Sequence, residues 1–230
     1  MNVGIITYDC AHLKTEQLVC RYMQDQRVKN IEIYSLPFIK REKRPVAIQH
    51  RPDMELGLFT HELSELGKVR YHDWDGKKVL GNYCDFFVIG GAGILDVAFA
   101  EGKPIINAHP GIIPLTRGLD SFKWAIYNGD PLGVTLHLID EEVDKGTILS
   151  VQRTPVFSSD SLQMLARRHY ELEITMLGNC MDFLDGSLDS LTEEKPVGRR
   201  MSKTIEAQMI HKFDGWKGNF ACKSTRNSSG

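Results

Sequence analysis

Short apolar β-rich runs alternate with helix-like stretches along this chain, and that alternation sets its outline. Val3–Tyr8 has a buried-strand pattern. Thr15–Gln26 places Leu18, Val19 and Met23 on one helical face, and Ile31–Leu36 is a second strand. Phe86–Ile89 is a third, running into Gly90-Gly91-Ala92-Gly93, where Ile94–Ala100 is expected to open as a short helix. Pro104–Ala108, Gly133–Ile139 and Ile148–Val156 complete the strands. Strands separated by helices predict βαβ units and hence an α/β fold, a mostly parallel twisted sheet flanked by helices. The longest expected helix runs from Leu162 to Leu184, with Asp160 as N-cap and Gln163 completing a capping box. After Gly186 the sequence turns polar and weakly periodic. The expected organisation is one domain over 1–185, an appendage over 186–223 available for contact between the subunits of a homodimer, and a small polar tail over 224–230 outside the fold.

Charge and cysteine content narrow the classes of function. The 28 Lys and Arg nearly cancel the 30 Asp and Glu among 230 residues, so no global basic field points to nucleic acid or an anionic membrane. Five scattered cysteines without a C-x-x-C pair argue against a zinc site or a disulfide scaffold, and fit reduced thiols in the cytoplasm. The N-terminus lacks a basic region followed by an apolar stretch, and no run nears the roughly 18 apolar residues of a membrane helix. Any anion site must therefore be local. The basic stretch Phe38-Ile39-Lys40-Arg41-Glu42-Lys43-Arg44-Pro45, followed by His50-Arg51, is either a solvated loop or a phosphate receiver through Arg41, Arg44 or Arg51. The residues alone do not choose among the three.

The densest chemistry lies between Ile106 and Gly146. Asn107-Ala108-His109-Pro110-Gly111 closes an apolar strand, Pro114 and Arg117-Gly118 follow, and the strand from Gly133 leads into Asp140-Glu141-Glu142-Val143-Asp144-Lys145-Gly146. Sheets of this class place ligands at strand ends and in the loops beyond them. Singly, Asn107, His109 and Asp144 each have a structural reading as turn, satisfied histidine or cap. Together they supply an amide to polarise a carbonyl, a proton carrier near neutral pH and an acid to orient it. A metal site from His109, His137 and Asp144 is disfavoured, because their spacing matches no recognised ligand set.

Across roughly residues 85–156, this series resembles the formyltransferase family. The resemblance rests on Asn107-Ala108-His109-Pro110, Pro114-x-x-Arg117-Gly118, Gly133-Val134-Thr135 and Asp140-x-x-x-Asp144-x-Gly146. Family members take a formyl group from N10-formyltetrahydrofolate; they include glycinamide ribonucleotide transformylase, methionyl-tRNA formyltransferase and the sugar-nucleotide N-formyltransferases. The resemblance implies a Rossmann-like core with Asn107, His109 and Asp144 as the catalytic set. It places folate beside the 140–146 loop and the segment after the strand 86–89, which makes Gly90, Gly91, Ile94, Leu95, Asp140, Glu141, Val143 and Asp144 its expected contacts. Gly90 to Leu95 match that segment only loosely.

Departures within the family bear on the acceptor. Glycinamide ribonucleotide transformylases usually carry a Gly-Ser-rich phosphate loop after the first strand; this chain has Thr7-Tyr8-Asp9-Cys10-Ala11-His12. Methionyl-tRNA formyltransferases carry a C-terminal RNA-binding barrel, for which too little chain follows Val156. What remains looks like the short sugar-nucleotide N-formyltransferases, with a nucleotide-linked deoxyamino sugar as acceptor. Tyr8, Arg117, Asp120 and the arginines at 41, 44 and 51 are the candidate contacts, and Trp74 and Trp124 are further stacking candidates. The alternatives are a glycinamide ribonucleotide-type or other amine formyltransferase, a formyltetrahydrofolate hydrolase and a non-catalytic nucleotide-binding module.

Overall fold

The computed structural model describes residues 1–222 apart from 41, 43, 94, 140–145 and 189–194. The strands are β1 (Asn2–Tyr8), β2 (Asn30–Leu36), β3 (Val69–Asp73), β4 (Phe86–Ile89), β5 (Ile105–His109), β6 (Gly133–Leu138) and β7 (Ile148–Arg153). The helices are α1 (Leu13–Gln24), α2 (Ser121–Asn128), α3 (Leu162–Gly178) and α4 (Lys203–Phe220). The strands form a single sheet in the order β3-β2-β1-β4-β5-β6-β7. From β3 to β5 every pairing is parallel; β6 then runs antiparallel to β5, and β7 antiparallel to β6. The expected α/β class with a mostly parallel sheet is what forms, with an antiparallel margin added.

Strand alternation gives each face its own core. Val3, Ile5, Ile33, Val88 and Ile106 pack on one face with Leu18, Val19 and Tyr22 of α1 and Met176 and Leu177 of α3. Ile6, Tyr34, Phe87, Ile89 and Ile105 face the other way, against Trp74, Leu80 and Phe99. Fully buried Tyr22 donates its hydroxyl to the Leu177 carbonyl at 2.7 Å, so its polar end is satisfied within the α1–α3 contact. A separate cluster joins Phe122 and Ile126 of α2, Leu165 of α3 and Met209, Phe213 and Trp216 of α4.

Several local expectations need correction. The N-cap of α3 is Ser161, whose hydroxyl accepts from Met164 N; Asp160 instead receives Phe157 N at 2.8 Å and both terminal nitrogens of Arg168. That carboxylate serves the preceding turn and an ion pair, so the cap moves one residue on. The expected helix over 94–100 is a single 3-10 turn at Val97–Ala100, too short for the α pattern. The α3 helix stops at Gly178, and a 3-10 turn continues over Cys180–Phe183. Neither β3 nor α4 is anticipated from the sequence. Part of the 186–223 stretch, α4, packs on α2 of its own chain. Tail residues 224–230 lie outside the described residues.

The connection from β2 to β3 lays a strap across the carboxyl ends of the strands. Its fastenings are polar: Ala47 N to Glu206 Oε2 at 2.5 Å, Arg51 to Glu173, His12 N to the Leu58 carbonyl at 3.0 Å and Leu58 N to Glu16 Oε2 at 2.8 Å. Glu173, 1% exposed, also pairs with Lys14 at 2.9 Å. Burial pushes its carboxyl upward, but Arg51 and Lys14 outweigh burial and hold it down at about 2.

Candidate active site

Two rungs of the β5–β6 pair form the polar centre. Along β5, Ile105, Asn107 and His109 share one face, while Ile106 and Ala108 enter the core on the other. Because β6 returns antiparallel, Asn107 lies directly opposite His137, and His109 opposite Thr135. Directly opposed side chains have Cβ atoms about 5 Å apart, close enough to act on one another. Thr135 is fully buried, accepts from Ile113 N at 3.0 Å and donates to the Gly111 carbonyl at 2.8 Å. It thereby pins the loop that leaves β5 back over the rung.

The hydrogen bonds fix how each histidine carries its proton. His137 Nδ1 lies 3.1 Å from the Leu138 carbonyl, which can only accept, so Nδ1 bears the hydrogen and Nε2 faces Asn107 Nδ2 at 3.4 Å as acceptor. That contact holds the nitrogen side of the Asn107 amide toward β6 and leaves its second N–H for a ligand. His109, 4% exposed, lies with Nε2 2.7 Å from the Thr116 carbonyl, which can only accept, so Nε2 carries a hydrogen. The loop closes tightly around this ring. A Cβ on Gly111 would stand 2.3 Å from the Thr116 oxygen and 2.8 Å from His109 Nε2, which only a glycine avoids.

Beside this face lies an apolar edge. Ile105 belongs to a cluster against which Ala92, Leu95 and Ile139 pack half-buried, and Ile139 N donates to the Ile105 carbonyl at 2.7 Å. Gly90 and Gly91 both donate to Ile6 O, at 2.9 and 3.1 Å, and Gly91 abuts the His12 imidazole and the Tyr8 ring. Tyr8 in turn tilts against Phe38 of the strap, ring centroids 5.6 Å apart. The ends of β1, β4 and β5 thus bring Tyr8, Gly91, Leu95, Asn107 and His109 to one side of the sheet, whereas Gly90 continues the alternation of Val88 and faces Ile5 and Thr15 on the other. Ile94, Asp140, Glu141, Val143 and Asp144 lie outside the described residues, as does Arg41.

Of the other sequence candidates, Arg44, Arg117, Asp120 and Trp124 gather elsewhere, against the chain that leads into α4. Arg44 donates to the Met201 carbonyl, and Met201 N donates to Asp120 Oδ2 at 2.9 Å, so both side chains clamp the chain entering α4. Buried Arg117 reaches the Lys195 carbonyl at 3.4 Å. Arg51 remains one-third exposed while paired with Glu173. Trp124 donates to the Arg199 carbonyl, and Trp74 is buried against Phe99. Among the described residues no group of three His, Cys, Asp or Glu is placed to hold a metal. The sequence reading missed the parts played by Thr116, Ser121 and Thr135, and it weighed His137 only as a metal ligand. The detectable signal was His137 two residues after Thr135 in a strand, the same alternation that links Asn107 and His109.

Residues 92–180 match the formyl transferase family. A phosphoribosylglycinamide formyltransferase of Haemophilus influenzae is 39% identical over 70 residues, which are 30% of this chain and 33% of that protein. A dTDP-4-amino-4,6-dideoxyglucose formyltransferase of Mycobacterium bovis is 32% identical over 110 residues, 47% of each chain. The chain thus spans less than half the length of these curated relatives. Among solved structures, a formyltransferase of Anoxybacillus kamchatkensis in complex with UDP-4,6-dideoxy-4-formamido-L-AltNAc and tetrahydrofolate is similar at a TM-score of 0.55 and 16% identity, over 94% of both chains. The sheet built here has the fold of that solved formyltransferase, and within it residues 92–180 carry the similarity to the formyl transferase family.

Proposed function

We propose that this protein transfers a formyl group from N10-formyltetrahydrofolate to an amine, and that the amine belongs to a nucleotide-linked deoxyamino sugar. The observation that carries the reading is the pair of polar rungs, which sets an amide N–H and a titratable imidazole nitrogen on one face beside an apolar edge. The donor, when bound, supplies an activated formyl carbon. The chain's own task is to stabilise charge on the formyl oxygen and to move a proton. Asn107 and protonated His109 serve the first need by hydrogen bonds to that oxygen. As the new nitrogen–formyl bond forms and the N10–formyl bond breaks, the attacking nitrogen must lose a proton and the leaving folate nitrogen must gain one; that relay falls to Asp144, by resemblance, together with His109. Each such contribution is about 10²- to 10⁴-fold. Ala92, Leu95 and Ile139 offer apolar surface for the pterin.

The choice of acceptor draws support from the start of α1. An open helix N-terminus is a ready phosphate site. Here the strap covers it: His12 N is taken by the Leu58 carbonyl, and a Cβ on Gly57 would lie 2.3 Å from Leu13 N. A monophosphate ester would find no cradle there, which disfavours a glycinamide ribonucleotide-type acceptor. Arg51, which is partly exposed, and Arg41 are the proposed cations for a sugar diphosphate. Tetrahydrofolate release measured over a panel of UDP-, GDP- and dTDP-linked amino sugars, with glycinamide ribonucleotide and water as controls, tests the reading. Release confined to glycinamide ribonucleotide would overturn the sugar acceptor, and release without any amine would make the protein a hydrolase.

A further inference from the structure

We propose that Ser121, acting with the Thr116 carbonyl, is a positioning residue that holds His109 in its Nε2–H form and so leaves Nδ1 as the nitrogen that exchanges protons. The inference rests on the reading of His109 as proton carrier given above. Ser121 is the first residue of α2, and its hydroxyl donates to the Gly118 carbonyl at 2.8 Å. With its only hydrogen committed there, Oγ turns a lone pair toward His109 Nε2, 3.1 Å away. The Nε2–H is thus shared between two acceptors, the Thr116 carbonyl at 2.7 Å and the Ser121 hydroxyl.

The loop is built to present both acceptors. Thr116 N donates to the Ile112 carbonyl, and Thr116 Oγ1 accepts from Ile112 N, each at 2.9 Å, which turns the Thr116 carbonyl back toward the ring. Ser121, 2% exposed, is shielded from water that would otherwise compete for Nε2. Two acceptors on one nitrogen fix the ring's rotation as well as its proton, and both stabilise the imidazolium when Nδ1 is protonated. A histidine lacking them could interchange its two neutral forms, and only one of these offers Nδ1 as a base.

Nitrogen-15 NMR of the labelled protein reads the ring without requiring turnover. The expected result is a protonated Nε2 and a lone-pair Nδ1 for His109 in the neutral form; the opposite assignment overturns the proposal. In Ser121→Ala the two neutral forms should mix, whereas an unchanged single form would show that Ser121 does not hold the ring. With an accepted amine, Ser121→Ala should lower kcat about 5- to 10-fold at constant KM and move the His109 limb of the pH profile to lower pH. Ser121→Thr, which keeps the hydroxyl, should restore both. An unaltered pH profile in Ser121→Ala would equally overturn the proposal. Absence of turnover with every amine, alongside the expected wild-type and Ser121→Ala spectra, would sink the formyl-transfer reading and leave the lock standing.

Discussion

His12 and His109 invite comparison. His12 follows β1 and His109 ends β5, each is buried, and each stands near a helix start. Yet His12 Nδ1 faces donors, accepting from Thr15 N, with Thr15 Oγ1 2.8 Å away. Burial, with Lys14 and Arg51 nearby, lowers its pKa to about 4, and it remains a neutral helix cap. His109 instead meets acceptors at Nε2, the Thr116 carbonyl at 2.7 Å and the Ser121 hydroxyl at 3.1 Å, so that nitrogen carries a proton. The difference teaches that the backbone, by offering N–H groups or carbonyls, decides which nitrogen of a buried histidine carries its proton.

Substitutions can break that contrast. His109→Ala should cost about 10²- to 10⁴-fold in kcat with the urea midpoint little changed; turnover at the wild-type rate would remove His109 from the mechanism. Next in size, Glu173→Gln strips the shared partner from Lys14 and Arg51 beside His12. It should cost about 3–5 kcal/mol of unfolding free energy, read by urea denaturation, and a loss under 1 kcal/mol would mean the strap is held by other ties.

The pH dependence of stability sharpens the comparison. Burial lowers His12, His50 and His169 from 6.5 to about 4 each. Between those values the unfolded chain binds protons that the folded chain does not, so stability present above pH 6.5 falls as pH drops toward 4. Urea midpoints measured across that window should decline, less steeply in His12→Asn than in wild type; a flat profile would contradict the burial of all three. The smallest effect is His12→Ala, about 1 kcal/mol from the lost cap, with kcat unchanged. A loss of turnover there comparable to that of His109→Ala would erase the distinction.

The strand pattern made much of this fold and half of the site legible. Asn107 and His109 stand two residues apart at the end of an apolar run, and that spacing alone puts them on one face. Their partners on β6 were hidden because the chain between β5 and β6 contains α2, and a strand–helix–strand order ordinarily signals a parallel crossover. Only the three-dimensional path shows β6 returning antiparallel. Edge strand β3 escaped notice because its half-exposed sequence, Val69-Arg70-Tyr71-His72-Asp73, looks like loop. In α4, Met209, Phe213 and Trp216 keep helical spacing, but Gly215 and Gly218 weaken the local preference. Asp144, the third member of the proposed catalytic set, falls outside the described residues, and its place rests on resemblance alone.

The reversal of direction at β6 has a further consequence. Because side chains on a strand change sides at every step, sliding β6 past β5 by one position would set Leu136 and Leu138 where Thr135 and His137 now stand. A lone insertion or deletion inside that strand would thus silence the proposed chemistry at a stroke while sparing Asn107 and His109 themselves. Length changes in the outer turns carry no such hazard, so drift in this molecule should gather in its turns and leave the paired strands β5 and β6 at constant length.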